Sequence, residues 1–285
     1  MTDEERRRLK LHAVGVREGI LIGTHGAKCG HPGGSLSAAD MFTYLYFREM
    51  RINPQDPKDP DRDRFVLSKG HTAPGLYAAL AERGFFPKED LATLRHIDSY
   101  LQGHPNMQTV PGVDMSTGSL GQGISAAAGM AKGAKYLKKD VNVYTVLGDG
   151  ELAEGQVWEA SMFAAHYHLD NFCVIVDLNG LQISGPTELV MNTKPVDEKF
   201  RSFGFDVVEI DGHDFDKMES AFHWFHENHG SGKPTVILMH TVKGKDVSYM
   251  ENEVDWHGKA PNDEEFERGM ADLAAIRAGL EGEDE

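Results

Sequence analysis

Five short runs rich in β-branched residues recur along the chain, separated by segments long enough to form helices. Such runs are typical of strands, and their alternation with helical segments predicts a parallel sheet. The runs span residues 64–68, 141–147, 171–177, 205–210 and 235–240. Continuous apolar stretches such as 172–176 suit strands that are covered on both faces. We therefore expect a doubly wound α/β fold, with a mainly parallel sheet and helices on both faces.

The length and the composition favour one large domain. The chain has 285 residues, 40% of them hydrophobic, which is enough for a substantial core. The Pro- and Asp-rich segment 53–64 predicts an ordered surface loop rather than a domain boundary. After His257 the chain turns acidic, which predicts a helix over about residues 263–280 and a frayed tail at 281–285. We expect a single domain over residues 1–285, ending in this acidic helix and tail.

The charge balance excludes several classes of partner. The chain carries 45 acidic and 29 basic residues, a formal net charge of -16, which should repel nucleic acid and anionic membranes.

Its apolar stretches fall short of the roughly 20 residues that a membrane helix needs, and the N-terminus lacks a secretory apolar region. Cys29 and Cys173 form no CxxC pattern, so no disulfide framework or zinc ribbon is expected. A cytoplasmic protein is predicted.

Oxygen-bearing residues follow two successive predicted strands. Asp149 lies between two glycines just past one strand, and Asn179 follows the next strand about thirty residues later, shortly before Leu181. Ligands of such sheets lie beyond the carboxyl ends of the strands. Mg²⁺ prefers oxygen ligands and usually takes only one or two carboxylates. Each residue alone could merely cap a helix or turn. Together they predict a metal site formed by Asp149, Asn179 and the Leu181 carbonyl.

Four of the fourteen histidines lie in glycine-bearing loops, where they are poorly placed as core residues. These are His31, His71, His104 and His257. Near-neutral imidazoles can hydrogen-bond diphosphate and sugar hydroxyls and can move protons, although each could also be a surface turn residue. His213 fits a turn equally well. Packing or solvation is expected for the histidines on predicted helices, namely His166, His168, His223, His226 and His229.

A glycine-rich segment precedes an alanine-rich helix at residues 116–137. Its glycines would let the backbone near Gly118 and Leu120 approach a flat ligand closely. The segment lacks both the GK[ST] of a phosphate-binding loop and the GxGxxG order of a dinucleotide site. Packing of small residues between helices is the alternative interpretation.

These motifs together resemble those of thiamine diphosphate enzymes, in which GDG is followed about thirty residues later by an Asn at a strand end. Within that superfamily the chain resembles transketolases most closely. GDGELAEGQVWEA is accompanied, in the order expected of transketolases, by GHPGGSLSAADM, LSKGH, GHP and STGSLGQGIS. The resemblance covers about residues 17–261.

The resemblance implies thiamine diphosphate and Mg²⁺, or another divalent cation such as Ca²⁺ or Mn²⁺, as cofactors. It implies metal binding by Asp149, Asn179 and the Leu181 carbonyl. Cofactor contacts are implied for His71, Gly118, Leu120, Gly150, Asn179, Ile183 and His257. Catalytic roles are implied for His31, His71, His104 and His257 in the active-site channel, and for Glu154 at a subunit interface. Glu159 is expected to be structural.

Thiamine chemistry also needs a carboxylate against the aminopyrimidine ring, and the resemblance places that group in a second domain that this chain lacks. The implied partner is a C-terminal transketolase subunit carrying the pyrimidine-binding domain, with two copies of each subunit. The implied reaction transfers a two-carbon ketol unit from a ketose phosphate to an aldose phosphate, as in the pentose phosphate pathway.

Three alternatives stay open at this point. The alpha subunit of a 2-oxo acid dehydrogenase complex shares the GDG-to-Asn pattern but does not explain GHPGG or LSKGH. A fragment of deoxyxylulose-phosphate synthase would share segments like TVKGKD, but the EGxxxEA pattern after GDG favours transketolase. A non-catalytic cofactor-binding relative would have no need of the four loop histidines.

Overall fold

The computed structural model describes residues 1–282 and contains a five-stranded parallel sheet with the strand order β1-β2-β3-β7-β6. Its strands are β1 (Arg64–Leu67), β2 (Val143–Gly148), β3 (Phe172–Leu178), β6 (Asp206–Asp211) and β7 (Thr235–His240). Each of the five predicted runs overlaps one of these strands, which confirms the predicted fold. A short antiparallel hairpin of β4 (Leu181–Gln182) and β5 (Gly185–Pro186), which the sequence analysis missed, follows β3.

Helices connect and flank the strands. They are α1 (Asp3–Ala27), α2 (Pro32–Ser37), α3 (Ala39–Tyr44), α4 (Ala73–Arg83), α5 (Gln122–Tyr136), α6 (Gly155–His166), α7 (Thr187–Val190), α8 (Val196–Ser202), α9 (Phe215–Glu227) and α10 (Asp263–Glu281). Shorter helical turns span Leu45–Glu49, Gly70–Thr72, Lys88–Thr93, Gly150–Ala153 and Val254–His257.

Alternate residues of each central strand enter two different cores. In β2, Tyr144 and Val146 pack in the core beneath α1, α3, α4 and α9, whereas Val143 and Leu147 pack in the core beneath α5, α6 and α8. This follows from the two-residue period of a strand. Fully burying one such aliphatic side chain contributes about 1.5–3 kcal/mol, so both helical layers are held by the same apolar runs.

Hydrogen-bonded caps fix where the first and last helices begin. Thr2 and Glu5 form a reciprocal capping box at α1, and Asn262 and Glu265 form another at α10. The predicted C-terminal helix is therefore present as α10, which packs against α1. Of the predicted frayed tail, residues 283–285 lie outside the described residues. The expectation of a single domain stays a prediction.

The parallel sheet brings four chain segments to one edge. β1, β2, β3 and β7 are neighbours, so the residues that follow their carboxyl ends converge. These residues are Lys69 and His71 after β1, Asp149 after β2, Asn179 after β3 and Lys243 after β7. Over residues 1–282, no helix is both long enough and apolar enough to cross a membrane.

Candidate active site

Three of the four predicted loop histidines form a cluster. His31 immediately precedes α2, His71 lies in the turn after β1, and His257 ends the turn Val254–His257. The ring centroids are 5.2 Å apart for His31 and His71, 5.6 Å for His31 and His257, and 5.1 Å for His71 and His257. The sheet edge therefore brings together imidazoles that are far apart in the sequence.

The fourth histidine lies on the adjacent glycine-rich loop. A Cβ atom placed on Gly118 would lie 3.0 Å from the His104 ring, so this loop packs directly on the imidazole. The His104 carbonyl accepts a hydrogen bond of 2.9 Å from the Tyr77 hydroxyl, which anchors the GHP segment to α4. Gly118 has a φ of +149°, a conformation that favours glycine.

Burial and neighbouring cations keep the clustered imidazoles neutral. Burial lowers the pKa of His31 to about 4, with a further contribution from the Arg95 guanidinium. Burial lowers the pKa of His257 to about 3, and the ammonium of Lys243 acts in the same direction. The pKa of His71 is also well below its usual range because of burial and the charge of Lys69. Neutral imidazoles can both donate and accept hydrogen bonds at neutral pH.

We expect His31, His71 and His257 of the free chain to show no titration between about pH 5 and 8, where an ordinary histidine changes charge. Their folded pKa values are depressed, whereas the unfolded values stay near about 6.5. The unfolded chain therefore binds more protons as the pH falls below about 6.5, and the stability of the folded chain decreases. Proton–carbon NMR of the ring Cε1 groups, assigned with single His→Gln variants, measures this. A midpoint near about pH 6.5 for any of the three would contradict the prediction.

Asp149 lies beside this cluster, and no side-chain cation of residues 1–282 pairs directly with its carboxylate. Its two oxygens accept backbone hydrogen bonds from Gly150 (2.8 Å) and Gly180 (2.6 Å). Burial raises the pKa of Asp149 to about 6, and the neighbouring Asp177 carboxylate adds to the rise. A desolvated carboxylate of this kind is stabilised by a bound cation.

The other two predicted metal ligands flank Gly180, whose N–H donates to Asp149 (2.6 Å), so they lie close to this carboxylate. Asn179 Nδ2 donates to Asp177 (2.9 Å), while Asn179 Oδ1 accepts from the Leu181 backbone N–H (3.1 Å). The Leu181 carbonyl accepts a hydrogen bond from Lys243 Nζ (3.1 Å), so an ammonium supplies positive charge to this oxygen. In the described part of the chain, no group of three or more His, Cys, Asp or Glu side chains is arranged to hold a metal ion.

Two buried lysines of the site were missed by the sequence analysis, although they belong to the LSKGH and TVKGKD segments. Lys69 Nζ donates to Asp177 (2.5 Å). Lys243 Nζ contacts His257 Nδ1 (3.0 Å), and burial lowers the pKa of Lys243 to about 8. A lysine in a motif is ordinarily a surface residue, and only the fold shows that both ammonium groups are enclosed.

Buried Glu151 was also missed, and it joins three loops of the site. Its carboxylate accepts hydrogen bonds from Ser68 Oγ (2.5 Å) and from the backbone N–H groups of Gly121 (2.8 Å) and Gly148 (3.1 Å). The ends of β1 and β2 are thereby tied to the start of α5. The GDGE sequence contains this residue, but its burial follows from neighbours that are distant in the sequence.

Two polar atoms in this region have no partner among the residues that the structure describes. His31 Nδ1 and Thr117 Oγ1 are buried and make no hydrogen bond there. Leaving such an atom unsatisfied typically costs about 1–3 kcal/mol. Unsatisfied atoms next to a neutral histidine cluster, buried ammonium groups and a desolvated carboxylate fit a polar, anionic ligand that carries its own cation.

The remaining predicted residues are not joined to the histidine cluster by any of these contacts. Ile183 lies in the β4–β5 turn with 66% of its surface exposed, and Leu120 is half-buried ahead of α5. Glu154 is exposed at the start of α6, close to Gly121, and Glu159 is exposed on α6. Their functional roles stay predictions.

His213 has a structural explanation. Its Nδ1 lies 2.7 Å from the buried Asp40 carboxylate, and its Nε2 accepts a hydrogen bond of 2.9 Å from the Val242 N–H. Both ring nitrogens are therefore engaged within the protein.

A cavity of about 540 Å³ has Asp149 in its lining. It is lined by Gly180, Thr187, Lys194 and His240, and it includes none of the four loop histidines. The buried lysines Lys69 and Lys243 and the unsatisfied atoms of His31 and Thr117 are also outside this lining, so the candidate site is centred on the histidine cluster.

Comparison with known proteins gives consistent similarities. Residues 21–274 match the family model described as transketolase, thiamine diphosphate binding domain. The chain is 41% identical over 276 residues to one subunit of the apulose-4-phosphate transketolase of Phocaeicola vulgatus, covering 96% of this chain and 97% of that protein. It is 45% identical over 244 residues to a 6-deoxy-6-sulfo-D-fructose transketolase subunit of a Clostridium species, covering 86% and 88%.

A solved structure shows the same likeness. The transketolase of Leishmania mexicana superposes with a TM-score of 0.84 at 30% identity, covering 96% of this chain but only 46% of that one. The chain therefore matches two separate transketolase subunits along nearly their whole length and about half of a longer transketolase chain. These similarities favour the transketolase interpretation over the 2-oxo acid dehydrogenase alternative.

Proposed function

The chain belongs to the transketolase family, and from that premise we propose that it is the thiamine diphosphate-binding subunit of a two-chain transketolase. The activity of the family is transfer of a two-carbon ketol unit. The observation that carries the proposal is the convergence of neutral His31, His71 and His257 with the carboxylate of Asp149 at one sheet edge. We propose a ketose phosphate as donor and an aldose phosphate as acceptor, as in the pentose phosphate pathway.

We propose that a divalent cation, Mg²⁺ or alternatively Ca²⁺ or Mn²⁺, is bound by Asp149, Asn179 Oδ1 and the Leu181 carbonyl. One carboxylate and two neutral oxygens suit Mg²⁺, which completes its shell with phosphate oxygens and water. The ammonium of Lys243, which contacts the Leu181 carbonyl, would then be available to the diphosphate. Gly150 and His71 would contact the diphosphate. Gly118, Leu120, Ile183 and His257 would contact the rest of the cofactor.

When bound, the cofactor would supply stabilisation of the carbanion, and the side chains of this chain would supply positioning and proton movement. Because His31 and His257 stay neutral, each has one donor and one acceptor ring nitrogen, and Nδ1 of His257 already accepts from Lys243, so its Nε2–H is left to donate to a ligand. His104 would contact the substrate from the glycine-rich loop. Lys243 beside His257 opposes lasting protonation of that ring.

We propose that the partner is a C-terminal transketolase subunit whose pyrimidine-binding domain supplies the activating carboxylate, with two copies of each chain in the cytoplasm. Coverage of 97% of a protein that is itself named as one subunit of a transketolase, against 46% of a longer transketolase, supports a two-chain enzyme. Exposed apolar side chains beside the site, such as Ile183 (66%), Leu189 (83%) and Met191 (59%), support a covering chain. Glu154 would lie at that interface.

The test is ketol transfer from xylulose 5-phosphate to ribose 5-phosphate, measured with thiamine diphosphate and Mg²⁺. The chain is assayed alone and after assembly with the pyrimidine-domain protein that copurifies with it. We expect turnover of the assembled enzyme, and a rate lower by about 10² to 10⁴ for the chain alone, the usual contribution of a positioned acid or base. Full activity of the chain alone would refute the two-chain proposal, and inactivity of the assembly would refute the proposed reaction.

A further inference from the structure

Asp177, in the strand β3, has a carboxylate that is only 3% exposed and collects donors from four segments of the site. Three of these donors lie at 2.5–2.9 Å, namely Lys69 Nζ (2.5 Å), Ser37 Oγ (2.7 Å) and Asn179 Nδ2 (2.9 Å), and the fourth is the Thr241 hydroxyl. They come from α2, the end of β1, the end of β3 and the end of β7. Asp177 is not among the residues proposed to touch the metal ion, the cofactor or the substrate.

The hydrogen bond to Asn179 fixes the orientation of an amide. An ionised carboxylate can only accept hydrogen bonds, so it selects the NH₂ group of Asn179 and excludes the amide oxygen from its side. Ser37 Oγ, 3.3 Å from the same nitrogen, adds to this preference. Asn179 Oδ1 is thereby turned away from Asp177, accepting one hydrogen bond from the Leu181 N–H. A carbonyl-type oxygen has a second lone pair, which is left for a cation.

The charge of Asp177 is matched within the protein. Lys69 Nζ forms a buried ion pair with it and also donates to the Gly34 carbonyl (3.2 Å). Through this pair, Asp177 connects the segment that carries His31 to the end of β1. Lys69 offsets part of the charge of Asp177, so the hydrogen bond to Asn179 is the direct contact through which Asp177 acts on a proposed metal ligand.

We propose that Asp177 is a positioning residue that presents Asn179 Oδ1 to the metal ion and so sets the affinity of the site for the metal–cofactor pair. This rests on the function proposed above. Partners that orient a metal ligand typically change metal affinity by about 10–100-fold when they are removed.

The test is Mg²⁺ binding to the assembled two-chain enzyme at saturating thiamine diphosphate, measured by titration calorimetry. Asp177→Asn keeps the side-chain shape but replaces one acceptor oxygen by a donor, so the Asn179 amide loses its fixed orientation. We expect the Kd for Mg²⁺ to rise about 10–100-fold. Thr241→Val, which removes one donor to the carboxylate without touching Asn179, is the milder second variant, and we expect a smaller loss in the same direction.

A double variant separates orientation from general damage. Asn179→Asp replaces the amide by a carboxylate with two oxygens, so the side chain presents an oxygen to the metal whichever way the group is rotated. We therefore expect Asp177→Asn combined with Asn179→Asp to bind Mg²⁺ more tightly than Asp177→Asn alone. This pair forms a double-mutant cycle with the two single variants.

The matched control is Asp114→Asn. Asp114 is buried and accepts from Arg62 and from the Phe65 N–H, but it contacts none of the site residues. We expect Asp114→Asn to lower the thermal stability while leaving the Kd for Mg²⁺ unchanged. The inference would be overturned if Asp177→Asn or folded Thr241→Val bound Mg²⁺ as tightly as the unaltered enzyme. It would also be overturned if Asp114→Asn weakened Mg²⁺ binding equally, or if the double variant bound Mg²⁺ no more tightly than Asp177→Asn. Failure of the unaltered assembly to bind thiamine diphosphate would instead overturn the proposed function and the inference with it.

Discussion

Asp149→Ala is expected to abolish binding of the metal–cofactor pair and to reduce ketol transfer to background in the assembled enzyme. The carboxylate is the only ionised ligand in the proposed set, and its two short backbone hydrogen bonds hold it in place. Loss of a group that merely orients a ligand costs about 10–100-fold in affinity, so loss of the charged ligand itself should cost at least about 100-fold. Calorimetry with thiamine diphosphate and Mg²⁺ measures the affinity, and the xylulose 5-phosphate assay measures turnover.

We also expect Asp149→Ala to change the pH dependence of stability, and this effect distinguishes the loss of a ligand from damage to the fold. Because the folded pKa of Asp149 is raised to about 6, the folded chain holds this proton more tightly than the unfolded chain does. Without cofactor, this residue therefore lowers the stability as the pH rises from about 4 to about 6. Asp149→Ala should lack that slope in denaturant unfolding. Asp206→Ala, which changes a carboxylate paired with Lys233 at the start of β6, should keep both the slope and the affinity.

The fold was predictable because its strongest signals are local. Apolar runs such as that of β3 are buried on both faces, and their length and spacing leave few alternatives to a parallel sheet. The convergence of Asp149 and Asn179 was predictable for the same reason, since parallel strands end at the same edge. The β4–β5 hairpin was missed because its two-residue strands carry no period that a sequence pattern can reveal.

The electrostatics of the site were less predictable. The loop histidines could be recognised as a group, but the contacts of His31 with His71 and His257 depend on three segments that meet only in the folded chain. Lys243 and Asp177 were missed because their importance lies in burial and in partners on other strands. The functional roles of all these residues stay predictions, while the geometry shows which substitutions test them.

Gly70→Ala should disable the site without removing any ligand. A Cβ atom at position 70 would lie 2.7 Å from the Gly118 backbone nitrogen and 2.7 Å from Thr117 Oγ1. The contact with the backbone cannot be relieved by rotating a side chain, so the loop at Gly118 must move away from the turn that carries His71. His104 packs on Gly118 and should move with it.

We expect this displacement to lower kcat/KM of the assembled enzyme by about 10²-fold, since a misplacement of about 1 Å at an active site can cost that much. Overpacking itself should destabilise the chain by only about 1–3 kcal/mol, so the variant should still fold.

Gly279→Ala in α10, where an added Cβ meets no atom of the described residues within 4 Å, is the matched control. It should keep its activity and gain about 0.5–1 kcal/mol in stability, because alanine is the better helix former. An unchanged kcat/KM in Gly70→Ala would contradict the prediction. It would mean that the enzyme keeps its activity when the loop at Gly118 moves away from the turn that carries His71.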